Sequence, residues 1–559
     1  MSERTPILIV GAGPVGLALA GDLGWRGVPC MLIEKTDGAI EQPKMDIVGP
    51  RTMEFCRRWG IADWVRDAPY PGDYPQDCIY VTGLNGYELG REPFPGRAQE
   101  KCPPQSPQKR ERVPQDMFDP ILQRFVRTFP HVRLCYETEL IAFDEMADGV
   151  VATVRDMRSG EIREIHADYL VGTDGGNSIV RERAGITMSG NPALTYTTNV
   201  MFRCPDFPSL HHTRKGYRFI FFGPEGTWLT IVAINGGDRY RMSIVGSADK
   251  VTHTEADIRD ALQRAVCRGF DYELLSVMRW VRRELVADRY ATERVFLAGD
   301  AAHLMSPTGG FGMNTGIQDA VDLGWKLAAR VRGWGGSELL RSYEIERRPV
   351  AVRNVTEASS NLGRMLSTRQ RLPPPEIFQV GPAGDAARKD YGEWFTQTMR
   401  HEWFTIGFHL GYRYDASPAI WPDGTPAPPL ETSTYTQTAR PGARAPHVWL
   451  PDGRSTLDLF GHGFTLLRLG SGAPGCERIQ AAAADARVPL VVVALDALEV
   501  TALYQRQLVL VRPDGHVAWR ADREPEDASA LIDVVRGAQA WASLGQLDDA
   551  ADNKTSAIR

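Results

Sequence analysis

Four residues near the N-terminus have the types and the spacing that a dinucleotide site needs: Gly11, Gly13, Gly16 and Glu34. Gly11 permits a tight turn, Gly13 lets a pyrophosphate approach the bare backbone, and Gly16 lets a helix pack closely on a strand. The carboxylate of Glu34 only accepts hydrogen bonds, so it suits a ribose diol and would repel a 2′-phosphate. This spacing predicts a dinucleotide site; the alternative is a glycine turn with a purely structural role.

The elements that must position these residues are also indicated by the sequence. Residues 7–10 form an apolar run that predicts a strand, and a helical pattern begins directly after the glycines. Residues 30–33 predict a second strand that ends at Glu34. The N-terminus of the helix would offer free N–H groups and a partial positive charge to a phosphate.

Two further corners place an acid beside glycines at the predicted end of a strand: Asp174 with Gly175, and Asp300. Such corners face ligands in α/β folds. A glycine-rich loop at 309–312 follows the second corner, and its bare N–H groups could hold an electron-rich oxygen. His303 lies between Asp300 and this loop. We interpret it as a structural hydrogen-bonding residue, with a catalytic base as the alternative.

Two basic residues follow the first βαβ unit, and their role is open. Lys44 and Arg51 could face a phosphate or a flavin ring. The alternative is that both are solvated surface charges.

Four aromatic residues in the middle of the chain are candidates for substrate binding. Strand alternation places Tyr217, Phe219 and Phe221 on one face, and Trp228 lies in the next predicted strand. Each ring alone is explained by packing in the core of its own sheet. As a set, the rings also suit a flat substrate.

Composition narrows the class of protein. The chain has 559 residues, 43% of them hydrophobic and 24% charged, which is ordinary for a globular protein of several folding units. The net charge of −6 and the lack of a strong basic run argue against a nucleic acid partner. No apolar run is long enough to span a bilayer, and Met1 leads directly into the first predicted strand, so we expect neither a membrane span nor a signal peptide.

The eight cysteines contain no CxxC pair. They therefore do not form a zinc or redox pattern, and no metal site is predicted. We interpret them as reduced thiols of a cytoplasmic protein.

Three motifs in this order resemble the single-component flavoprotein aromatic hydroxylases, the FAD-dependent phenol hydroxylase superfamily. They are the glycines 11, 13 and 16 with Glu34, the stretch 174–178, and the stretch 299–303 with Pro307 and 312–314. The resemblance covers about residues 5–370. Beyond about residue 440 the chain looks like the redox-inactive thioredoxin-like domain of larger members, and its single Cys476 excludes dithiol chemistry there.

The resemblance implies an α/β fold. A Rossmann-type FAD-binding domain would carry an inserted β-sheet substrate domain, and a thioredoxin-like domain would follow. The expected boundaries are 1–185 for the first part of the FAD-binding domain with a loop-rich insert at 66–110, 186–290 for the substrate domain, 291–370 for the second part of the FAD-binding domain, 371–435 for a linker with a helical piece, and 436–559 for the C-terminal domain.

The resemblance also implies a role for each motif residue. Gly11, Gly13 and Gly16, with Pro14, would hold the FAD pyrophosphate, and Glu34 the adenosine ribose. The other expected cofactor contacts are Lys35, Arg51, Arg112, Gln115, Asp174, Gly175, Asp300, Gly312, Met313 and Asn314. Asp174 and Gly175 would serve both FAD and the nicotinamide cofactor. The backbone at 312–314 would face the flavin N1–O2 edge, and Pro307, Met313 and Asn314 would line the reaction centre.

This sequence departs from the family pattern at three positions. Lys35 stands where arginine is common, and Lys44 and Met45 replace the usual Arg-Ala pair. Because lysine is a point charge and arginine a planar fork, the way in which the pyrophosphate is held would differ here.

The implied activity is that of an FAD-dependent monooxygenase. NAD(P)H would reduce the flavin, O2 would add to give a C4a-hydroperoxide, and a phenolic or polycyclic aromatic substrate would be hydroxylated. No second GxGxxG is evident for a nicotinamide domain, which fits a reductant that visits transiently. A Baeyer–Villiger or drug- and polyketide-modifying monooxygenase is the alternative, and a flavin- or dinucleotide-binding sensor a distant one. The expected partners are a small aromatic substrate and O2, with a homodimer also considered.

Overall fold

A computed structural model describes residues 3–40, 42–247 and 249–541. Its strands are β1 Glu3–Val10, β2 Cys30–Ile33, β3 Ile47–Val48, β4 Cys78–Val81, β5 Glu88–Glu92, β6 Glu111–Arg112, β7 Val132–Cys135, β8 Thr138–Met146, β9 Gly149–Asp156, β10 Ile162–Gly172, β11 Met188–Arg203, β12 Arg218–Gly223, β13 Gly226–Ala233, β14 Arg239–Ser247, β15 Glu273–Ala287, β16 Val295–Leu297, β17 His303–Leu304, β18 Phe464–Leu469, β19 Leu490–Leu495, β20 Leu508–Val511 and β21 Val517–Ala521. Its α-helices are α1 Pro14–Trp25, α2 Pro50–Arg58, α3 Ala62–Arg66, α4 Gln115–Val126, α5 Ile179–Arg183, α6 Glu255–Val266, α7 Phe311–Val331, α8 Glu338–Leu366, α9 Pro382–Trp403, α10 Ile406–Leu410, α11 Glu477–Asp485, α12 Leu498–Tyr504 and α13 Ala528–Val535.

The first sheet has the order β7-β2-β1-β10-β9-β8, with β16 also paired to β10. Its central pairs, β2 with β1, β1 with β10 and β10 with β16, are parallel. Parallel strands are covered on both faces, which is why β1 ends in four consecutive buried residues, 7–10. Helices α1 and α7 pack against each other beside this sheet. The predicted Rossmann-type domain is confirmed.

The second sheet has the order β17-β15-β11-β14-β13-β12-β4-β5. Most of its strands come from residues 188–287, within the segment 186–290 that was expected to form the inserted β-sheet, but the insert at 66–110 contributes β4 and β5. Cys78–Val81 is a buried run that pairs in parallel with β12, so the insert belongs structurally to the second sheet and not to the Rossmann sheet.

The segment 371–435, predicted as a linker with a helical piece, contains a packed helix of 22 residues, α9. Tyr391, Phe395 and Met399 are spaced by four residues, so they form one apolar stripe. This stripe lies in a hydrophobic cluster with residues of β12 and α8.

The C-terminal sheet has the order β19-β18-β20-β21. Strands β18 and β19 are parallel, whereas β20 and β21 run antiparallel to their neighbours. With α11, α12 and α13 the element order is βαβαββα, which is the thioredoxin-like arrangement that the sequence predicted. Residues 542–559 of this predicted domain lie outside the described residues.

A buried ion network docks the C-terminal domain on the Rossmann domain. Arg512 contacts Glu346 at 2.7 Å and Asp322 at 3.1 Å, and Lys326 contacts the same two carboxylates at 2.7 and 2.8 Å. Asp514 completes the cluster at 2.7 Å from Arg512. The two cations offset the cost of burying two of these three carboxylates. Burial raises the pKa of the third, Asp322, well above its usual range.

All eight cysteines are free thiols, as predicted. Along the part of the chain that the structure describes, none of the helices has both the length and the apolar character required to cross a bilayer.

Candidate active site

A single cavity of about 740 Å³ lies between the Rossmann sheet and the second sheet. Each of the three predicted corners contributes to its wall, through Gly13, Gly175 and Asp300. The other predicted site residues that line it are Pro14, Arg112, Gln115, Tyr217, Pro307, Gly312 and Met313. Three corners that are far apart in the sequence therefore face one common space.

The glycines at the start of α1 differ in what a side chain would meet. Gly11 has a φ of +100°, which favours glycine, and a Cβ on Gly16 would lie 2.0 Å from the Gly11 carbonyl oxygen. A Cβ on Gly13 would meet nothing within 4 Å, because this residue faces the cavity. No side chain caps the N-terminus of α1 and no acid lies in its first turn, so its N–H groups remain available to an anion.

Glu34 is held beside this turn. Its Oε2 accepts the Ala12 N–H at 2.9 Å, and its Oε1 accepts the Thr36 N–H and hydroxyl, each at 2.9 Å. A carboxylate has about four acceptor positions, so acceptor capacity remains for a ribose. Lys35 is exposed and does not line the cavity.

At the second corner the acid and the glycine have different surroundings. Asp174 points into the protein, where it accepts the Ser178 hydroxyl at 2.5 Å and the Val180 N–H at 3.1 Å, and burial raises its pKa. Gly175, with a φ of +82° and open space at its Cβ position, lines the cavity. Asp174 thus shapes the corner, and Gly175 faces the ligand space.

Asp300 at the third corner is exposed to the cavity. Its carboxylate has no hydrogen bond or ion pair with any residue that the structure describes. It is therefore available to a polar ligand group.

The side-chain amide of Asn314 links the start of α7 to the segment 47–52. Its Oδ1 accepts the Gly49 N–H at 2.8 Å and the Thr52 hydroxyl at 2.7 Å. Its Nδ2 donates to the Ile47 and Gly310 carbonyls at 3.1 and 2.8 Å. The side chain is buried and does not line the cavity, so it positions the turn before α7.

Lys44 and Gln115 meet at the edge of the cavity. The Lys44 N–H donates to Gln115 Oε1 at 3.0 Å, and Gln115 Nε2 donates to Asp119 at 3.1 Å. The Lys44 ammonium has no partner among the described residues. Both residues line the cavity, so Lys44 is not a surface charge remote from the site.

Arg51 is placed differently from our prediction. It is buried, contacts Glu54 at 2.8 Å, and donates to the Asp514 carbonyl of the C-terminal domain at 2.9 Å. It does not line the cavity. Arg51 is a docking residue between two domains, and a sequence without its tertiary partners offers no signal for that role.

The predicted row of four rings is not brought together at the cavity. Phe219 and Phe221 lie in a buried cluster with α6, on the opposite face of the sheet. Trp228 packs at 62° to the Phe221 ring, 6.1 Å between centroids, with Arg264 of α6 stacked 4.0 Å above it. Tyr217 alone lines the cavity, because β12 begins at Arg218 and Tyr217 lies before the regular alternation.

The cavity wall instead uses mainly polar residues that sequence reasoning missed. They alternate along the strands, so that each strand presents one face to the cavity. These residues are Thr197 and Asn199 of β11, Thr230 and Val232 of β13, Arg241 and Ser243 of β14, and Trp280 and Arg282 of β15. The i, i+2 spacing of these residues in the sequence could have been used to predict that they share one face of the sheet. Phe94, Trp403 and Phe404, from segments predicted as loop and linker, also line the cavity. Phe94 and Trp403 pack against a cluster of the second sheet that contains Tyr217 and Val232.

His303 is buried away from the cavity. Its Nε2 lies 2.8 Å from Asp319, which also contacts Arg347 at 2.8 Å. This placement agrees with the structural interpretation, although the partner is Asp319 and not Asp300.

Comparisons with known proteins place this geometry in context. A family model described as FAD binding domain matches residues 4–358, and one described as aromatic-ring hydroxylase, C-terminal, matches residues 438–540. A putative polyketide hydroxylase of Streptomyces halstedii is 33% identical over 96% of this chain and 96% of its own. The 2,4-dichlorophenol 6-monooxygenase of Delftia acidovorans is 30% identical over 94% and 96%. The structure of the rebeccamycin biosynthetic enzyme RebC with reduced flavin has a TM-score of 0.89 and 41% identity, over 96% of this chain and 100% of that one.

Proposed function

Because this chain belongs to the aromatic-ring hydroxylase family of FAD-dependent monooxygenases, we propose that it uses NAD(P)H and O2 to hydroxylate a phenolic or polycyclic aromatic compound. The observation that carries this proposal is the common cavity, which joins the three glycine corners to the wall of the second sheet. A ligand extended along the corners would end beside a substrate on that wall.

The residues present suit FAD. We propose that Gly11, Gly13, Pro14 and Gly16 hold its pyrophosphate at the open N-terminus of α1, since Gly13 leaves room where a Cβ would stand. Glu34 would hold the ribose. Lys44, Arg112, Gln115 and Asp300 would contact the phosphates and the ribityl chain. Gly175, shaped by Asp174, would also contact the visiting nicotinamide. Arg51 is not included, because its guanidinium is taken up by Glu54 and the Asp514 carbonyl. Lys35 is not included either, because it is exposed outside the cavity and is not part of the turn before α1.

When bound, FAD supplies the redox chemistry, taking a hydride from NAD(P)H and activating O2. The chain would supply the rest. Helix α7 begins at Phe311 with no side-chain cap and no acid in its first turn, so the N–H groups of Gly312 and Met313 can stabilise negative charge on the isoalloxazine. Pro307, Met313, Trp403 and Phe404, which all line the cavity, would exclude water and orient the ring.

Substrate-stimulated turnover with product analysis tests this function. The protein, reconstituted with FAD, is mixed with NADH or NADPH and a panel of phenols, naphthols and polycyclic phenols. We expect at least one compound to accelerate reductant consumption and to yield a product heavier by one oxygen, labelled from ¹⁸O2. A cyclic ketone converted to a lactone, with no phenol hydroxylated, would instead favour Baeyer–Villiger oxidation. Oxidation of NAD(P)H that no aromatic compound stimulates would favour a sensor.

A polycyclic substrate has specific support. The Streptomyces halstedii relative is named a putative polyketide hydroxylase. The cavity wall spans six adjacent strands, from β15 to β4, which gives length for more than one fused ring. In the panel, this proposal predicts a higher kcat/KM for the polycyclic phenols than for phenol itself.

We also propose that the protein is a homodimer paired through β19. Among the described residues this edge strand pairs only with β18. It lacks charge and proline and leaves Val491 59% exposed, features that proteins normally avoid on a free edge. Antiparallel pairing of two copies is self-complementary, and it would bring Arg487 before the strand near Asp496 after the partner's. Light scattering should give twice the chain mass, and Val491→Lys should give monomers.

We propose a cytoplasmic location. The eight free cysteines support it, because such thiols persist in a reducing compartment. Fractionation of the producing cells tests this.

A further inference from the structure

Arg282 of β15 is a buried cation that the chain itself does not neutralise. Its side chain belongs to the part of the cavity wall that the second sheet forms, and the residue is 7% exposed. Its Nε donates to the Thr197 hydroxyl at 3.2 Å and its Nη1 to the Ser306 hydroxyl at 3.1 Å. Nη2 has no partner, and no carboxylate lies within 4 Å, among the residues that the structure describes. Burial lowers the pKa of Arg282 to about 10, so the guanidinium still carries its charge at neutral pH.

The neighbouring charges compensate for Arg282 only in part, because Glu402, the acid that attracts it from a distance, is already paired with Arg218. Arg218 is paired with Glu402 at 2.9 Å, and Arg241 lies 3.8 Å from Asp46, which also lies 3.6 Å from Arg112. Arg282 and the groups just named thus comprise four guanidinium groups and two carboxylates. An uncompensated charge in such a place is costly unless a ligand of opposite sign completes the pair.

We propose that Arg282 recognises a carboxylate carried by the aromatic substrate, with Ser306 holding the guanidinium in place. This inference rests on the proposed function and names the substrate class of the same cavity. A guanidinium binds a carboxylate through two parallel hydrogen bonds, and here Nη2 is available for that contact. Ser306 directly precedes Pro307, so the bound carboxylate would orient the substrate beside the reaction centre. Arg282 would act as a specificity-determining residue and not as an acid or base.

Ligand binding to the FAD-loaded protein, measured without reductant, tests the proposal. The probes are 1-hydroxy-2-naphthoate, its carboxamide 1-hydroxy-2-naphthamide, and 1-naphthol, titrated by perturbation of the flavin spectrum and by thermal shift. We expect wild type to bind the carboxylate at least tenfold more tightly than the amide and the naphthol. Arg282→Met should abolish this preference, while Arg283→Met, the adjacent residue on the same strand but outside the cavity wall, should retain it.

A second measurement separates recognition from a structural role. If Arg282 serves to bind an anion, Arg282→Met removes a buried charge that has no ion-pair partner in the ligand-free protein. The Tm of the ligand-free variant should therefore equal or exceed that of wild type. The naphthoate should no longer raise the Tm of the variant. A large fall in Tm of the ligand-free variant would show a structural role and overturn the inference. Equal binding of carboxylate and amide by wild type, no carboxylate-dependent shift, or binding that follows ionisation of the phenol would also overturn it.

Different results would overturn the proposal for Arg282 and the proposed hydroxylase function. An unchanged FAD affinity in Arg282→Met is expected, and a marked loss would assign Arg282 to the cofactor and overturn the inference. Failure of every aromatic compound to stimulate turnover would count against the proposed hydroxylase function, whereas the binding preference is measured without any turnover.

Discussion

The Cβ position of Gly16 lies 2.0 Å from the carbonyl oxygen of Gly11, so helix α1 and the turn after β1 approach each other as closely as their backbones allow. The same position lies 2.6 Å from the Thr173 hydroxyl of the second corner. One glycine therefore joins two of the three corners that line the cavity.

Alanine substitution should separate packing from cofactor contact in this turn. Gly16→Ala should destabilise the protein without FAD by about 1–3 kcal/mol, because its Cβ overlaps backbone that cannot move freely. Gly13→Ala should leave that stability unchanged, since its Cβ meets no protein atom, and should weaken FAD binding roughly tenfold or more. Thermal unfolding of the FAD-free protein and flavin fluorescence titration measure the two effects. Equal FAD affinity in Gly13→Ala and wild type would contradict the proposed pyrophosphate site.

Asp300 should affect cofactor affinity without affecting stability. Its carboxylate is exposed and has no partner among the described residues, so Asp300→Ala should change Tm by less than about 1 °C, as expected for a surface substitution. FAD affinity should fall several-fold. Asp485→Ala, an exposed acid on α11, is the matched control and should change neither quantity.

Asn314→Ala should lower both stability and FAD affinity. The substitution leaves the Gly49 N–H and the Ile47 and Gly310 carbonyls without their partner, and each buried orphan costs about 1–3 kcal/mol. Thermal unfolding with and without FAD gives both quantities. An unchanged Tm would mean that other groups or water replace the amide.

Acid should weaken the contact between Glu54 of α2 and the C-terminal domain. Burial alone would raise the pKa of Glu54, but the charges of Arg444 and Arg51, at 3.0 and 2.8 Å, outweigh it and hold the pKa at about 2. A lowered carboxyl pKa contributes stability that is present above the unfolded-state pKa of about 4.3 and is lost as pH falls toward 2, here about 3 kcal/mol.

The variant that tests this role of the Glu54 carboxylate is Glu54→Gln. It should be less stable than wild type at pH 7, and this difference should shrink between pH 5 and pH 2.5, measured by Tm across that range. Glu499→Gln, an exposed acid on α12, should follow wild type throughout. A constant difference between Glu54→Gln and wild type at every pH would exclude ionisation of Glu54 as the cause.

Local sequence determined much of this protein. The glycines at 11, 13 and 16, the apolar strand before them and the helical pattern after them predicted the Rossmann unit, because turn geometry and side-chain periodicity depend on near neighbours. The thioredoxin-like domain was implied only by the resemblance to larger flavoprotein hydroxylases. The three acid and glycine corners were identifiable for the same reason.

Tertiary structure alone decided which side chains face the cavity. Phe219 and Phe221 pack on α6, Arg51 is buried by a domain that begins hundreds of residues later, and β4 joins a sheet whose other strands are distant in the chain. The alternation of β12 gives two faces but does not say which one is covered, since burial is set by residues that only folding brings near. The unpaired charge of Arg282 likewise exists only in the folded protein, where no carboxylate of the described chain lies within 4 Å of it.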